Sequence, residues 1–381
     1  MDLNPLFKLM AAKHASDLFF TAGAPILIKI LGETVPVNAQ VLDAATVKNI
    51  AYTMMPEAQV RIFEATCESN FSYPVKDVGG FRVNVFRQRG AVAIVVRYLK
   101  NEIPSLEELR LPPLLKDLIM EKRGLVLVAG STGSGKSTTL AAMIEYRSQR
   151  RGGHILTIED PIEFVFKHRK SIVNQREVGI DTMTFDSALT NAMREAPDVL
   201  MIGEIRDRAT LHSALIYAQT GHLCLSTLHA NNSYHALNRI IGFFPYETRA
   251  SLLMDLSISL RCVISQRLVP TRSGKVTPAI EVLLNTKHIA ERIKNDELDQ
   301  IKEAMEKSMS AGTQTFEQAL YKLYKDGELN LDDALAYSDS PSNLSWLIDN
   351  AGGERATTNR REEKAQERLD VGGFNFKADV S

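Results

Sequence analysis

Leu3, Leu6, Phe7 and Met10 recur at helical spacing, which predicts a short amphipathic helix within residues 1–16, packed on its own domain. From residue 18 to 37 short apolar runs are broken by Gly23, Pro25, Gly32 and Pro36, the pattern of strands and tight turns. Residues 44–66 read as helical, residues 81–86 alternate apolar with polar side chains, and residues 91–99 form another strand candidate. An α+β domain over residues 1–100 is the expectation. Pro104, Pro112 and Pro113 give residues 101–113 the character of a linker with a hinge. Beyond it, apolar runs at 125–129, 155–158, 199–202, 223–228 and 279–284 alternate with helical segments, as in a parallel sheet with helices on its faces, and this predicts a second domain over 114–337. From Ser338 the composition turns to Ser, Asn, Gly and mixed charge, so residues 338–381 are expected to be a flexible tail.

One stretch changes this picture from fold to chemistry. The apolar run 125–129 leads into Gly130-Ser131-Thr132-Gly133-Ser134-Gly135-Lys136-Ser137, followed by good helix formers. The pattern G-x-x-x-x-G-K-[ST] between a strand and a helix reads as a phosphate-binding loop. Its glycines let the backbone wrap a triphosphate, so that amides from Ser131 to Thr138 and the helix N-terminus face phosphate oxygens. Lys136 would reach the β- and γ-phosphates, and Ser137 would ligate Mg²⁺. ATP with Mg²⁺ is the expected ligand.

Further segments fall where a nucleotide hydrolase needs them. Residues 197–204 are an apolar strand ending in Glu204, and ligands of open parallel sheets sit at carboxyl ends of strands, so Glu204 is aimed at the γ-phosphate side. The acids Glu159, Asp160 and Glu163 close a neighbouring strand; their mutual repulsion suits Mg²⁺ and its waters, with Glu159 and Asp160 beside Ser137 as candidate ligands. His222 and His229 bracket the strand 223–228; on a regular strand they point to opposite faces, which argues against a zinc pair and favours phosphate sensing by one of them. Arg82, Arg97, Arg194 and Arg206 are candidates to stabilise transition-state charge across a domain or subunit boundary.

Composition narrows the partners. With 381 residues two domains are expected, and a formal charge of -1 gives no global field for nucleic acid or anionic lipid. A nucleic-acid translocase is disfavoured further by the lack of a basic, aromatic-interleaved segment. Cys67, Cys224 and Cys262 are few and widely spaced, as reduced thiols would be. Neither a signal peptide nor an apolar run of membrane-spanning length is evident, so the expectation is a cytoplasmic protein without direct membrane insertion.

The segments G-S-T-G-S-G-K-S-T, T-I-E-D-P-I-E-F, A-P-D-V-L-M-I-G-E-I-R-D and T-G-H-L-C-L-S-T-L-H-A-N together resemble the Walker A, Asp, Walker B and His boxes of the secretion ATPases that drive type II secretion and type IV pili, and in particular those that retract pili. The resemblance runs from about residue 15 to about residue 285. It implies a PAS-like N-terminal domain joined to a RecA-like core, and a homo-hexameric ring with ATP at domain and subunit boundaries. It further implies a sister retraction ATPase and an inner-membrane platform protein as partners, with peripheral association to the inner membrane through them. By the same resemblance Glu204 is the Walker B glutamate, Glu163 the Asp-box glutamate, His222 and His229 the His-box pair, and Arg82 and Arg97 the N-terminal-domain arginines that reach the phosphates. Either glutamate can be the residue that positions water, with Glu204 favoured. The chain departs from the pattern at Ser131, where proline is common, and at residues 288–297, where His-Ile-Ala-Glu-Arg-Ile-Lys-Asn-Asp-Glu replaces a motif typical of the retraction motors. The second departure keeps open a nucleotide-binding regulatory ring subunit with little hydrolysis of its own. Phe374 and Phe376 are candidates for a docking spot in the tail.

Overall fold

A computed structural model describes residues 2–30, 32–99, 102–308 and 310–351. The first helix, α1 (Asn4–Ala12), buries Phe7 and Met10, as its spacing predicts. It lies against a sheet of β1 (Asp17–Thr21), β2 (Pro25–Ile30), β3 (Glu33–Val41), β4 (Glu68–Val75), β5 (Gly79–Gln88) and β6 (Ala91–Leu99), with α2 (Ala44–Met54) and α3 (Glu57–Thr66) inserted between β3 and β4. The strands run antiparallel in the order β3-β2-β1-β6-β5-β4. Val47, Ile50, Ala51 and Met54 of α2 follow one helical face into the core, and the Asp43 carboxylate caps its start by accepting from the Thr46 amide at 2.6 Å. The stretch 44–66 is two helices because Pro56 cannot continue the first, and α3 stops at Cys67, which is left-handed at φ 65°.

The second sheet combines β7 (Gly124–Ala129), β8 (Gly153–Glu159), β9 (Ser171–Glu177), β10 (Val199–Ile202), β11 (Leu223–Leu228), β12 (Leu260–Pro270) and β13 (Val276–Leu284) in the order β13-β12-β7-β11-β10-β8-β9. All neighbours are parallel except β12 and β13. Strands β7, β10 and β11 are buried along their whole length, which is why they read as unbroken apolar runs. Strand β9 gave no such signal: it lies on the sheet's edge and carries Asn174, Gln175 and Arg176. The helices of this part are α4 (Leu114–Met120), α5 (Lys136–Arg150), α6 (Phe185–Ala192), α7 (Arg208–Gln219), α8 (Ser233–Gly242), α9 (Arg249–Ser259), α10 (Lys287–Lys294), α11 (Ile301–Glu306), α12 (Phe316–Lys325), α13 (Leu331–Ala336) and α14 (Pro341–Ala351). One apolar core joins α4 and α5 to one face of the sheet, and another joins α6 to α10 to the opposite face.

The connecting stretch 101–113 is anchored: among its described residues Leu106 and Leu111 sink into the core beside Leu115, and Arg110 pairs with Glu328 at 2.5 Å. Residues 338–351 are not a flexible tail. Leu344 of α14 is fully buried against Phe316, Leu320 and Leu329, with Ile348 one turn on beside it. A short apolar stripe therefore outweighs the polar composition that suggested disorder. Residues 352–381, including Phe374 and Phe376, lie outside the described residues. Leu344→Ala is expected to cost about 2–5 kcal/mol of local stability and release this helix. Limited proteolysis reads the release, and unchanged cleavage around residues 338–351 would count against the packing.

Candidate active site

Four neighbouring strands, β7, β11, β10 and β8, bring their carboxyl ends to one edge of the sheet. Each delivers one of the sequence motifs: the glycine loop after Ala129, His229 after Leu228, Glu204 just beyond Ile202, and the acids at 159–163. Between them lies a cavity of about 430 Å³ whose walls include Lys136, Ser137, Glu163, Glu204, Arg206, His229 and Arg82.

The loop's backbone needs its glycines. Gly130, Gly133 and Gly135 all have positive φ; a Cβ on Gly130 would meet Ser134 Oγ at 2.3 Å and the Gln266 carbonyl at 2.7 Å, whereas Gly133 faces open space. Behind the loop, Gln266 of β12 donates to the Ser134 carbonyl at 2.7 Å and accepts from Thr139 Oγ1 at 2.7 Å, fixing the loop to the start of α5. No sequence signal marks Gln266, since its partners lie more than 120 positions away. Among the described residues buried Ser134 Oγ has no hydrogen-bond partner, and the Lys136 ammonium donates to the Gly130 and Ser131 carbonyls, both at 2.9 Å. Burial lowers the Lys136 pKa, against the opposing pull of Glu204 and Glu163. A cation and a helix N-terminus facing an open cavity are what an oligophosphate requires.

Opposite the loop, Glu204 receives Arg206 Nε at 2.7 Å on one oxygen and His229 Nε2 at 3.3 Å on the other, while Arg206 Nη1 stands 3.7 Å from Asp160. Burial pushes the His229 pKa down, and the Lys136 charge adds to this. Thr227 Oγ1 donates to the Gly203 carbonyl at 2.6 Å and the Ile205 amide to the Thr227 carbonyl at 3.0 Å, so the Glu204 and His229 loops are tied together. Glu159 lines the wall, but its buried carboxyl accepts from Thr157 at 2.6 Å and Gln175 at 3.1 Å, and burial raises its pKa to about 7. Both bonds fall on one oxygen and tie the group to β8 and β9. Among the described residues no three His, Cys, Asp or Glu side chains are placed to hold a metal ion.

The N-terminal sheet is tied to the second sheet at Ser72. Ser72 of β4 donates its amide to Glu177 at 2.8 Å and its hydroxyl to the Ile162 carbonyl at 2.7 Å, while Ile162 donates back to Glu177 at 3.0 Å. Ser72 stands directly opposite Arg82 in the β4–β5 ladder, so the tie holds Arg82 over the cavity. Arg97 faces Arg82 across the β5–β6 ladder but is not brought in: its guanidinium pairs with Asp17 at 2.9 Å. His222 is not brought in either. It precedes β11, at the far end of the strand from His229, and its Nδ1 lies 3.2 Å from the Tyr217 carbonyl. Arg194, outside the cavity, donates to Asn191 at 3.3 Å. On the far side of the loop, a second cavity of about 620 Å³ shares Gly135 and Thr138 with the first and is bordered by Leu109, Arg110 and Leu268.

Residues 3–336 match the family of type II/IV secretion system proteins. The chain belongs to this family. It is 48% identical over 349 residues to the type IV pilus ATPase PilU of Pseudomonas aeruginosa, covering 91% of each chain. To the type IV pilus retraction ATPase PilT of the same organism it is 39% identical over 344 residues, covering 90% of this chain and all of the relative. A crystal structure of the pilus retraction motor PilT with bound ADP superposes with a TM-score of 0.84 at 42% identity, over 91% of this chain and 99% of the other. The secretion-ATPase fold, a RecA-like core with a PAS-like α+β domain before it, is therefore the fold of this chain. Among the described residues no helix is long and apolar enough to cross a membrane.

One buried acid of the core supports the His229 loop from below. Glu281 of β13 accepts from the Ser233 amide at 2.7 Å and hydroxyl at 2.6 Å at the start of α8, and burial raises its pKa despite those bonds. Between the ordinary carboxyl value and this raised one, the folded chain keeps a proton that the unfolded chain has released, so stability falls as pH rises through that window. Glu281→Gln is expected to remove that part of the decline. Denaturation midpoints of both proteins at a series of pH values from 4.5 upward check this; parallel curves would contradict it.

Proposed function

We propose that the protein is a ring-forming ATPase that powers or assists the retraction of type IV pili. The observation that carries the reading is the single cavity in which Lys136, Ser137, Glu163, Glu204 and His229 converge under Arg82. Phosphoryl transfer from ATP needs positioning and charge stabilisation more than covalent chemistry, and these residues supply both. Lys136 and the loop amides hold the phosphates; Glu204, or Glu163, orients the attacking water; Arg82 and His229 stabilise charge gathering on the γ-phosphoryl oxygens. Ser137 and phosphate oxygens would hold Mg²⁺, with waters between it and Asp160, in keeping with that ion's reluctance to shed its shell. The nucleoside end fits the second cavity beyond Thr138.

Because Arg82 reaches the site from the N-terminal domain, closing that domain on ATP completes the constellation and release of products reopens it. In a homo-hexamer the exposed face that carries Arg97 is available to a neighbouring subunit's nucleotide. Such cycles would act on an inner-membrane platform protein beside a sister retraction ATPase, with this chain on the cytoplasmic side and held at the membrane through those partners. A regulatory ring subunit is the second reading, supported by the altered sequence at 288–297. Steady-state phosphate release by the purified full chain, with its mass measured in solution, separates the two. Turnover by a ring, lost in Lys136→Ala, supports the motor; a ring that binds ATP yet releases phosphate no faster than that variant leaves the regulatory subunit.

A further inference from the structure

The loop that follows His229 is fastened from outside by a segment beyond residue 336, where the family match ends. Arg267 of β12 gathers three acceptors: the Tyr337 carbonyl at 2.6 Å, the Asn231 carbonyl at 3.1 Å and the Asp339 carboxylate. Its guanidinium lies over the Phe316 ring, 3.9 Å from the centroid, a cation–π contact that adds to its placement. The other Asp339 oxygen accepts from the Asn232 amide nitrogen at 2.8 Å, and the Asn232 amide oxygen caps α8 by accepting from the His235 amide at 2.8 Å. Both ends of the Asn232 side chain are therefore spoken for. Buried Glu317 holds the segment itself, accepting from Ser340 at 2.9 Å, Ser338 at 3.3 Å and Lys302 at 3.1 Å. The segment also reaches the phosphate loop, since Tyr337 and Asn231 share a cavity of about 290 Å³ with Ser131, Thr132 and Gly133.

We infer that Asp339 is a positioning residue for ATP hydrolysis: residues 337–340 form a strap that acts through Arg267 and Asn232 to hold the His229 loop against the phosphate cavity. The inference rests on the ATP-hydrolysing reading of that cavity. Glu281 fixes the start of α8 from the core side, so the strap removes the remaining freedom of residues 229–232. Losing Asp339 leaves Arg267 and Asn232 short of a partner and lets His229 wander from Glu204 while the glycine loop and Lys136 stay in place. The strap should therefore govern kcat and leave ATP affinity alone.

The test uses the full-length protein carrying Asp339→Ala, Asp339→Asn, His229→Ala and the double variant with Asp339→Ala, with Trp346→Ala on the exposed face of α14 as control. Asp339→Ala is expected to lower kcat about tenfold with KM for ATP within about twofold, the scale on which misplacing a catalytic group acts. Asp339→Asn, which keeps an acceptor for one partner, should fall between, and Trp346→Ala should match the parent. In the His229→Ala background Asp339→Ala should cost little more, because its route to the reaction is already cut. Backbone hydrogen exchange over residues 229–236 should speed up in Asp339→Ala. Independent, multiplying losses would overturn the inference, as would unchanged kcat or unchanged exchange. If the parent itself turns over no ATP, the activity reading fails on its own, and the exchange measurement still decides whether Asp339 fixes the loop.

Discussion

Lys136→Ala is expected to reduce ATP turnover by at least about 10²–10³-fold while leaving the chain folded and assembled. Its ammonium sits at the N-terminus of α5, where the helix dipole disfavours a positive charge, and it is buried, which lowers its pKa. Two features therefore work against it energetically, while the Gly130 and Ser131 carbonyls and the more distant Glu204 and Glu163 work for it. A residue kept where it destabilises its own helix is kept for what it meets there. Alanine removes the cation that would cancel charge on the transferred phosphoryl group but is a better helix residue, so thermal stability should hold or rise slightly. Phosphate release and a melting curve on the same sample check both halves. A variant with more than about a tenth of the parent rate would remove Lys136 from the mechanism, since a phosphate-stabilising contact is worth far more than that.

The four motifs were legible because each occupies a strand end and its first few loop residues, where sequence spacing alone fixes geometry. Parallel strands β7, β11, β10 and β8 bring these ends together whatever their separation along the chain. What the sequence hid is contact between distant elements. Gln266 supports the glycine loop, Glu177 and Ser72 tie the two sheets, and Arg267 and Asp339 clasp the His229 loop; none has a local pattern, since each acquires its role only when another strand arrives. The polar run after Ser338 misled for the same reason. Its helix has a single fully buried leucine, and the groove that buries Leu344 is built by α12 and Leu329 together with Val269 and Ala279 of the distant strands β12 and β13. The two histidines differ because a strand has two ends: His229 lies at the end that carries the site and His222 at the other.

The last of the large effects concerns the choice between two carboxylates. Glu204 is held on both oxygens, by Arg206 and by His229, and its strand is locked to the His229 loop through Thr227. Such a group is oriented before substrate arrives, which is what a water-positioning residue needs. Glu163 lines the same cavity and its charge supports that of Lys136, but it follows a turn rather than a strand end. Glu204→Gln preserves shape and one acceptor while removing the charge, so it is expected to lower kcat about 10²–10³-fold with nucleotide affinity kept. Glu163→Gln should cost less, its charge acting on Lys136 at longer range. Rapid-quench turnover together with equilibrium nucleotide binding separates the two. If Glu163→Gln is the more damaging variant, the roles are exchanged: Glu163 orients the water and Glu204 serves to hold Arg206 and His229. If neither variant slows turnover beyond about threefold, no carboxylate in this cavity handles the water, and the burden of catalysis moves to the cations that surround the phosphates.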